Sequence, residues 1–179
     1  GQYMHLTAGS YLDAPPTASV RGDSAMDNLN DLDSCLTQKK SQFTMQWGRQ
    51  LVLAMQESRA DIPKSEILHS LKSIGQDLKA SPAKHRIILL VSDMLENSDS
   101  ASFYRHNQIH QLNVKNILAN VRHQQLVADL LGANIYVLGA GLLSPSDSHY
   151  ISGKTLDSLE SFWGQWFSLS NGRLVAFGT

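Results

Sequence analysis

Two short apolar runs constrain the fold of this chain more than any other feature of its sequence. The first, Ile87–Val91, is uninterrupted and partly β-branched, which is typical of a strand covered on both faces. The second, Ala133–Gly139, predicts another buried strand. Between them, a helical pattern over about 102–131 ends just before Gly132. Strands joined by a helix pair in parallel through a right-handed crossover, so this order indicates an α/β fold.

The remaining segments extend this strand, helix and strand order in both directions. Helical spacing of apolar residues recurs from Phe43 to about Ser58, from Ile67 to Leu78 and over about 156–169, and residues 174–177 suggest a last strand. Residues 1–42 are rich in turn-forming Asp, Asn, Ser and Pro and predict an irregular segment with one strand at Tyr3–Thr7. The sequence therefore predicts one α/β domain over 43–179, with a doubly wound, mostly parallel, Rossmann-like sheet flanked by helices.

Composition narrows the classes of partner. The 179 residues include 15 Lys and Arg against 16 Asp and Glu, and 42% of them are hydrophobic. This near-neutral balance argues against disorder and against a strongly basic nucleic-acid surface. No apolar run approaches the roughly 20 residues needed to cross a bilayer, so we expect no membrane span. The single cysteine, Cys35, excludes an intrachain disulfide and a cysteine-rich zinc site.

A candidate metal site follows from the strand order. In open α/β sheets the working site lies at the carboxyl ends of the strands, where Asp93 follows the first apolar run. A carboxylate there can bind a hard divalent cation through oxygen, and Ser65 at the start of a helix could add a hydroxyl. The alternative interpretation is that Ser65 caps its helix and Asp93 caps its own loop.

These two segments resemble the second and third motifs of the von Willebrand factor type A (VWA) domain. The run 64–71, Lys-Ser-Glu-Ile-Leu-His-Ser-Leu, resembles the motif in which a Thr or Ser opens a helix. The run 87–93 resembles the hydrophobic strand that ends in a "T/S-D-G"-like turn. The strand at 135–139 and the aromatic helix around 162–167 also resemble bacterial members, so the resemblance covers about 43–179.

The resemblance implies a metal-ion-dependent adhesion site holding Mg²⁺, at which a carboxylate of a protein partner completes the coordination. Ser65 would bind the metal directly or through water, and Asp93 would act through water. The residues Met94, Glu96 and Asn97 would form the rim that contacts the partner.

Two departures from the family pattern bear on this expectation. The first motif, Asp-x-Ser-x-Ser at the end of the central strand, is absent, and Met94 stands where the third motif usually has Gly. Either the site is degenerate and binds no metal, or a first strand and helix precede Gly1. In the second case the sheet is completed by another chain or by an upstream segment, and Tyr3–Thr7 is the second strand.

The sequence therefore favours a non-enzymatic module that binds a protein partner at the strand ends, with Mg²⁺ as the one cofactor implied. The alternatives are a Mg²⁺-dependent hydrolase or phosphotransferase that uses Asp93, and a metal-free scaffold in a bacterial assembly. Three other patterns are weaker indications of a functional site. They are the tripeptide Arg21-Gly22-Asp23, the helix start Gly153-Lys154-Thr155 with Ser152 or Thr155 as its cap, and the pair His106 and His110, which would share one face of a helix.

Overall fold

A computed structural model describes residues 25–57, 65–105, 108–142 and 152–178. The chain divides into two compact units, Gln2–Ala60 and Asp61–Thr179. The first unit contains the helix α1 (Ala25–Glu57). The second contains the helices α2 (Ile67–Ala80), α3 (Val114–His123) and α4 (Gly153–Leu169) and the strands β1 (Ile87–Val91), β2 (Tyr104–Arg105), β3 (Gln108–Ile109), β4 (Ala133–Leu138) and β5 (Gly172–Gly178).

Helix α1 begins well before the position that its apolar pattern suggested. Residues 25–42 are helical, although their Asp, Asn and Ser content predicted irregular structure. Propensity is a weak prior, and these polar residues compete with the helix only when their side chains bond the backbone. Asp33 and Ser34 are exposed, whereas Leu36 and Phe43 are half-buried at helical spacing. The prediction of an irregular segment is therefore wrong for 25–42, while Tyr3–Thr7 lies outside the described residues.

The second unit is built on a parallel sheet with the strand order β1-β4-β5. Strand β1 pairs with β4 from Ile87 opposite Asn134 to Val91 opposite Leu138, and β5 pairs with the other side of β4. Both connections carry a helix, which is the arrangement that parallel pairing requires. The α/β class and the parallel sheet predicted from the sequence are confirmed.

One face of this sheet is covered by the helices. Because β1, β4 and β5 follow one another in a single direction across the sheet, right-handed crossovers place α3 and α4 on the same side. The inward side chains Ile88, Ile135 and Val137 belong to one core cluster that also contains residues of α2, α3 and α4. Leu174 of β5 packs against the same core.

The opposite face is not covered by the described residues of its own unit, and we call it the open face. It carries Ile87, Leu89 and Val91, whose side chains are 68%, 38% and 51% exposed, and Leu138 beside Val91. The prediction that β1 is covered on both faces is therefore wrong for the described residues. An uninterrupted apolar run shows that a strand can be buried on both faces. It does not show that other residues pack against both faces.

The long helix predicted over 102–131 is also wrong, because only Val114–His123 is helical. Asn113 starts α3 by accepting a hydrogen bond from the Asn116 N–H (3.2 Å), and Gln125, at φ 56°, follows its last turn. Before this helix, β2 and β3 form a short antiparallel pair. The apolar residues after the helix, including Leu126 and Leu130, are buried in a segment without regular secondary structure.

Helix α4 supplies the largest side chains of the core. Trp163 makes edge-to-face contacts with Phe103 and Phe162, and its ring centroid lies 5.8 Å from that of Trp166. Leu159 and these α4 aromatics are buried, as the sequence predicted. None of the helices among the described residues is both long and apolar enough to cross a membrane.

Candidate functional site

The carboxyl ends of the three parallel strands are tied together by backbone hydrogen bonds. The Ser92 N–H donates to the Leu138 carbonyl (3.0 Å), and the Ala140 N–H donates to the Gly178 carbonyl (2.9 Å). The Gly141 N–H donates to the Asp93 carbonyl (2.8 Å), which joins the loop after β4 to the loop after β1. These bonds join the loops that follow the strands, which we call the strand-end loops, at the edge where open α/β sheets bind their ligands.

The side chain of Asp93 makes its hydrogen bond inside its own turn. Its Oδ1 accepts from the Leu95 N–H at 3.0 Å, and the hydroxyl of Ser92 accepts from the Met94 N–H at the same distance. Burial raises the pKa of the Asp93 carboxyl above its ordinary value, and the hydrogen bonds from Leu95 and Ser92 offset part of this rise. This geometry agrees with the alternative in which Asp93 caps its own loop.

Ser65 lies beside the loop that follows β1, where it pairs with Asn97. The Ser65 N–H donates to the Asn97 carbonyl (3.1 Å) and the Asn97 N–H donates back to the Ser65 carbonyl (2.8 Å), as in an antiparallel bridge. Ser65 is not the N-cap of α2, because Glu66 holds that position without a side-chain capping bond. The structure thus brings Ser65 to the strand-end loops through the backbone of Asn97.

Glu96 has a structural role that sequence reasoning missed. Its side chain is fully buried, and its Oε2 accepts a hydrogen bond from the Leu68 N–H (3.0 Å) in the first turn of α2. A carboxylate at this position accepts a hydrogen bond from an otherwise unpaired helix N–H, and its negative charge interacts favourably with the positive end of the helix dipole. Burial nevertheless raises the pKa of Glu96, because water is excluded from a carboxyl whose Oε1 has no hydrogen-bond partner in the described structure.

Met94 completes the turn after β1 in an unusual backbone conformation. Its φ is 58°, in the left-handed region that favours glycine, and its side chain is fully buried. The carbonyl of Met94 accepts a hydrogen bond from the Trp163 indole Nε1 at 2.8 Å. The sequence offered one signal for this conformation, because Met94 occupies the position at which the resembled motif has Gly. Neither Met94 nor Glu96 is accessible to a partner in this structure, whereas Asn97 is half-buried.

The other sequence candidates are dispersed. Ser152 caps α4 by accepting from the Thr155 N–H (3.2 Å), which confirms that Gly153-Lys154-Thr155 is a helix start. His110 follows strand β3, outside any helix, so the helical spacing inferred for it and His106 does not hold. His106 and Arg21-Gly22-Asp23 lie outside the described residues, and Cys35 is exposed on α1.

The strand-end loops offer few oxygen ligands to a cation. Mg²⁺ prefers about six oxygen ligands in octahedral geometry. Asp93 already bonds within its turn, Glu96 Oε2 bonds α2, and no group of three or more His, Cys, Asp or Glu side chains within the described ranges could hold a metal. The described residues alone therefore do not fit a complete Mg²⁺ site, and a cation at Asp93 would need further ligands from elsewhere.

Comparison of the chain with protein-family models, with curated proteins and with solved structures finds no match.

Proposed function

We propose that this chain is a non-enzymatic protein-interaction module that binds a protein partner at the carboxyl ends of its sheet strands. The observation that carries this proposal is a group of exposed apolar side chains there: Val91 beside Leu138 at the strand ends, and Leu142 just after. Leu138 and Leu142 are 51% and 61% exposed. Single exposed apolar residues are common, but several exposed apolar residues at one edge of a sheet favour an interaction surface.

The backbone hydrogen bonds of the strand-end loops support the same function. The Leu142 N–H donates to the carbonyl of Gly139, which directly follows β4 (3.1 Å), and the Gly141 N–H donates to the Asp93 carbonyl. A surface that is already fixed loses little conformational freedom on association, so more of the contact energy appears as affinity.

The VWA resemblance contributes two further elements, which stay predictions. A doubly wound sheet requires strands on the far side of β1 and helices over the open face. A cation held by Ser65 and Asp93 requires additional oxygen ligands, for which a partner's carboxylate is the chemistry that the resemblance implies. The left-handed φ of Met94 supports the resemblance, because it occurs where the related turn has glycine.

Affinity capture with the purified chain as bait tests the main proposal. Leu142→Asp places a charge in the apolar group, and Leu53→Asp is the matched control because Leu53 is 50% exposed on α1, in the other unit. With circular dichroism verifying the fold of both variants, proteins captured from the source cells by wild type should be lost with Leu142→Asp and kept with Leu53→Asp. Equal capture by all three baits would reject binding at the strand ends.

Calorimetry addresses the cation separately. If Asp93 is a ligand, titration of Mg²⁺ or Mn²⁺ into the wild type should release or absorb heat, and the same titration into Asp93→Ala should not. Absence of heat in both proteins would remove the cation from the proposal and leave the apolar contact unaffected.

A further inference from the structure

Strand β1 is paired on one side only within the described part of the chain. The Arg86 carbonyl accepts from the Asn134 N–H (2.9 Å), and the Ser92 N–H donates to Leu138, so these positions point toward β4. Backbone groups of alternate residues point to opposite sides of a strand. The N–H and C=O groups of Ile87, Leu89 and Val91 are therefore directed to the free edge.

This edge lacks the features that natural proteins use to prevent pairing. Edge strands usually carry a charged residue, a proline or a bulge. Ile87–Val91 contains no charged residue and no proline, and its register with β4 is uninterrupted. The opposite edge strand, β5, carries Arg173 and has an irregularity in its pairing near Ile135. The two edges differ, and β1 is the one suited to accept another strand.

The charges at the two ends of β1 indicate which strand its free edge would accept. Basic residues, Lys84, His85 and Arg86, precede β1, and Asp93 follows it. A second copy aligned in parallel would place its basic run beside the basic run of the first copy, which is unfavourable. An antiparallel second copy would place the basic end of each strand beside the acidic end of the other, which is favourable.

We propose that the free edge of β1 pairs with β1 of a second copy of this chain, antiparallel and about a two-fold axis at Leu89. In this register Ile87 faces Val91 of the second copy and Leu89 faces Leu89, so every edge-directed N–H and C=O of the three residues finds a partner. Beyond the paired residues, the basic end of each strand, 84–86, lies near Asp93 of the second copy. The interface is self-complementary and closes as a dimer, so it does not propagate into a filament.

Sedimentation velocity on the full chain tests this pairing. Wild type should sediment as a dimer that dissociates on dilution. Leu89→Pro removes an N–H directed at the edge without removing a bond to β4, so it should raise the dimer Kd about tenfold or more. Leu89→Ala keeps that N–H and is the matched control, which should remain largely dimeric.

Substitution of the exposed His85 tests the antiparallel arrangement of the two strands and keeps the proposal testable if the proline variant fails to fold. His85→Asp adds a carboxylate near Asp93 of the second copy and should weaken the dimer, whereas His85→Lys should preserve it. The weakening by His85→Asp should shrink as salt is added. A monomer at every concentration would overturn the proposal. So would a dimer that tolerates Leu89→Pro and His85→Asp but is broken by Leu138→Asp, because that result would place the contact on the open face.

Discussion

Replacing Trp163 with Phe tests whether the aromatic core holds the strand-end loops in place. The indole Nε1 of Trp163 donates to the Met94 carbonyl at 2.8 Å, and both residues are fully buried. The substitution deprives that carbonyl of its donor, which costs about 1–3 kcal/mol for a buried polar group. The smaller ring leaves a cavity that adds about 1 kcal/mol. The free energy of unfolding should therefore fall by about 2–4 kcal/mol, a large share of the about 5–15 kcal/mol typical of a folded domain.

Urea denaturation followed by far-ultraviolet circular dichroism measures this loss without depending on tryptophan fluorescence. The urea midpoint should fall while the slope with urea stays constant, since the surface exposed on unfolding hardly changes. Trp166→Phe is the matched control, because the indole of Trp166 makes an equivalent buried hydrogen bond to the Leu126 carbonyl (3.1 Å). Both variants should lose similar stability.

Hydrogen exchange then separates a local effect from a general one. The amides of Met94 and Leu95 bond Ser92 and Asp93 inside the turn that Trp163 supports. Their protection should fall more in Trp163→Phe than in Trp166→Phe. A loss below about 0.5 kcal/mol, within the range of ordinary surface substitutions, would refute this reasoning, and so would equal exchange at these amides in both variants.

Three other substitutions test the buried carboxyl of Glu96 and the packing around one glycine in each of α2 and α4. Burial raises the pKa of Glu96 above its ordinary value of 4.5, so the folded protein binds this proton more tightly than the unfolded chain. The free energy of unfolding should then fall by at most about 1.4 kcal/mol per pH unit as the pH rises from the unfolded to the folded pKa, and urea titrations should show that Glu96→Gln lacks this part of the slope; parallel pH profiles would contradict it. A methyl group at Gly75 would lie 2.9 Å from the backbone carbonyl oxygen of Asp129, so Gly75→Ala should destabilise the protein by about 1–3 kcal/mol despite its better helix propensity. Gly164→Ala, which meets only ordinary contacts, should stabilise it by up to about 1 kcal/mol in thermal unfolding, and a gain at both glycines would reject the packing argument.

The sequence predicts the parts of the fold that depend on local periodicity. Ile87–Val91 and Ala133–Leu138 are strands in the structure, and the helical spacing of Leu159 and the α4 aromatics correctly identifies core positions. These residues carry their own signal, because the repeat of apolar side chains matches the repeat of the backbone. The same reasoning gave the parallel pairing, since a helix connects the strands.

The contacts within the candidate site were harder to predict because they join distant parts of the chain. Leu68 and Glu96 are 28 positions apart, and Trp163 reaches Met94 from the last helix. No spacing rule links such pairs before the topology is known. Local signals also misled about the length of α3. The helix expected over about 102–131 holds only for Val114–His123, and the apolar residues Leu126 and Leu130 that extended the pattern are buried without forming a helix.

The apolar character of β1 is the point at which sequence and structure together indicate more than either does alone. The composition of Ile87–Val91 suits a strand enclosed on all sides, yet the described residues cover one face and one edge. Completion of the sheet within the same chain, as a doubly wound fold would require, makes stability independent of protein concentration. Completion by a second copy couples folding to association, so the unfolding temperature rises with concentration and this dependence disappears in Leu89→Pro. The concentration dependence of unfolding therefore decides which of the two arrangements covers β1.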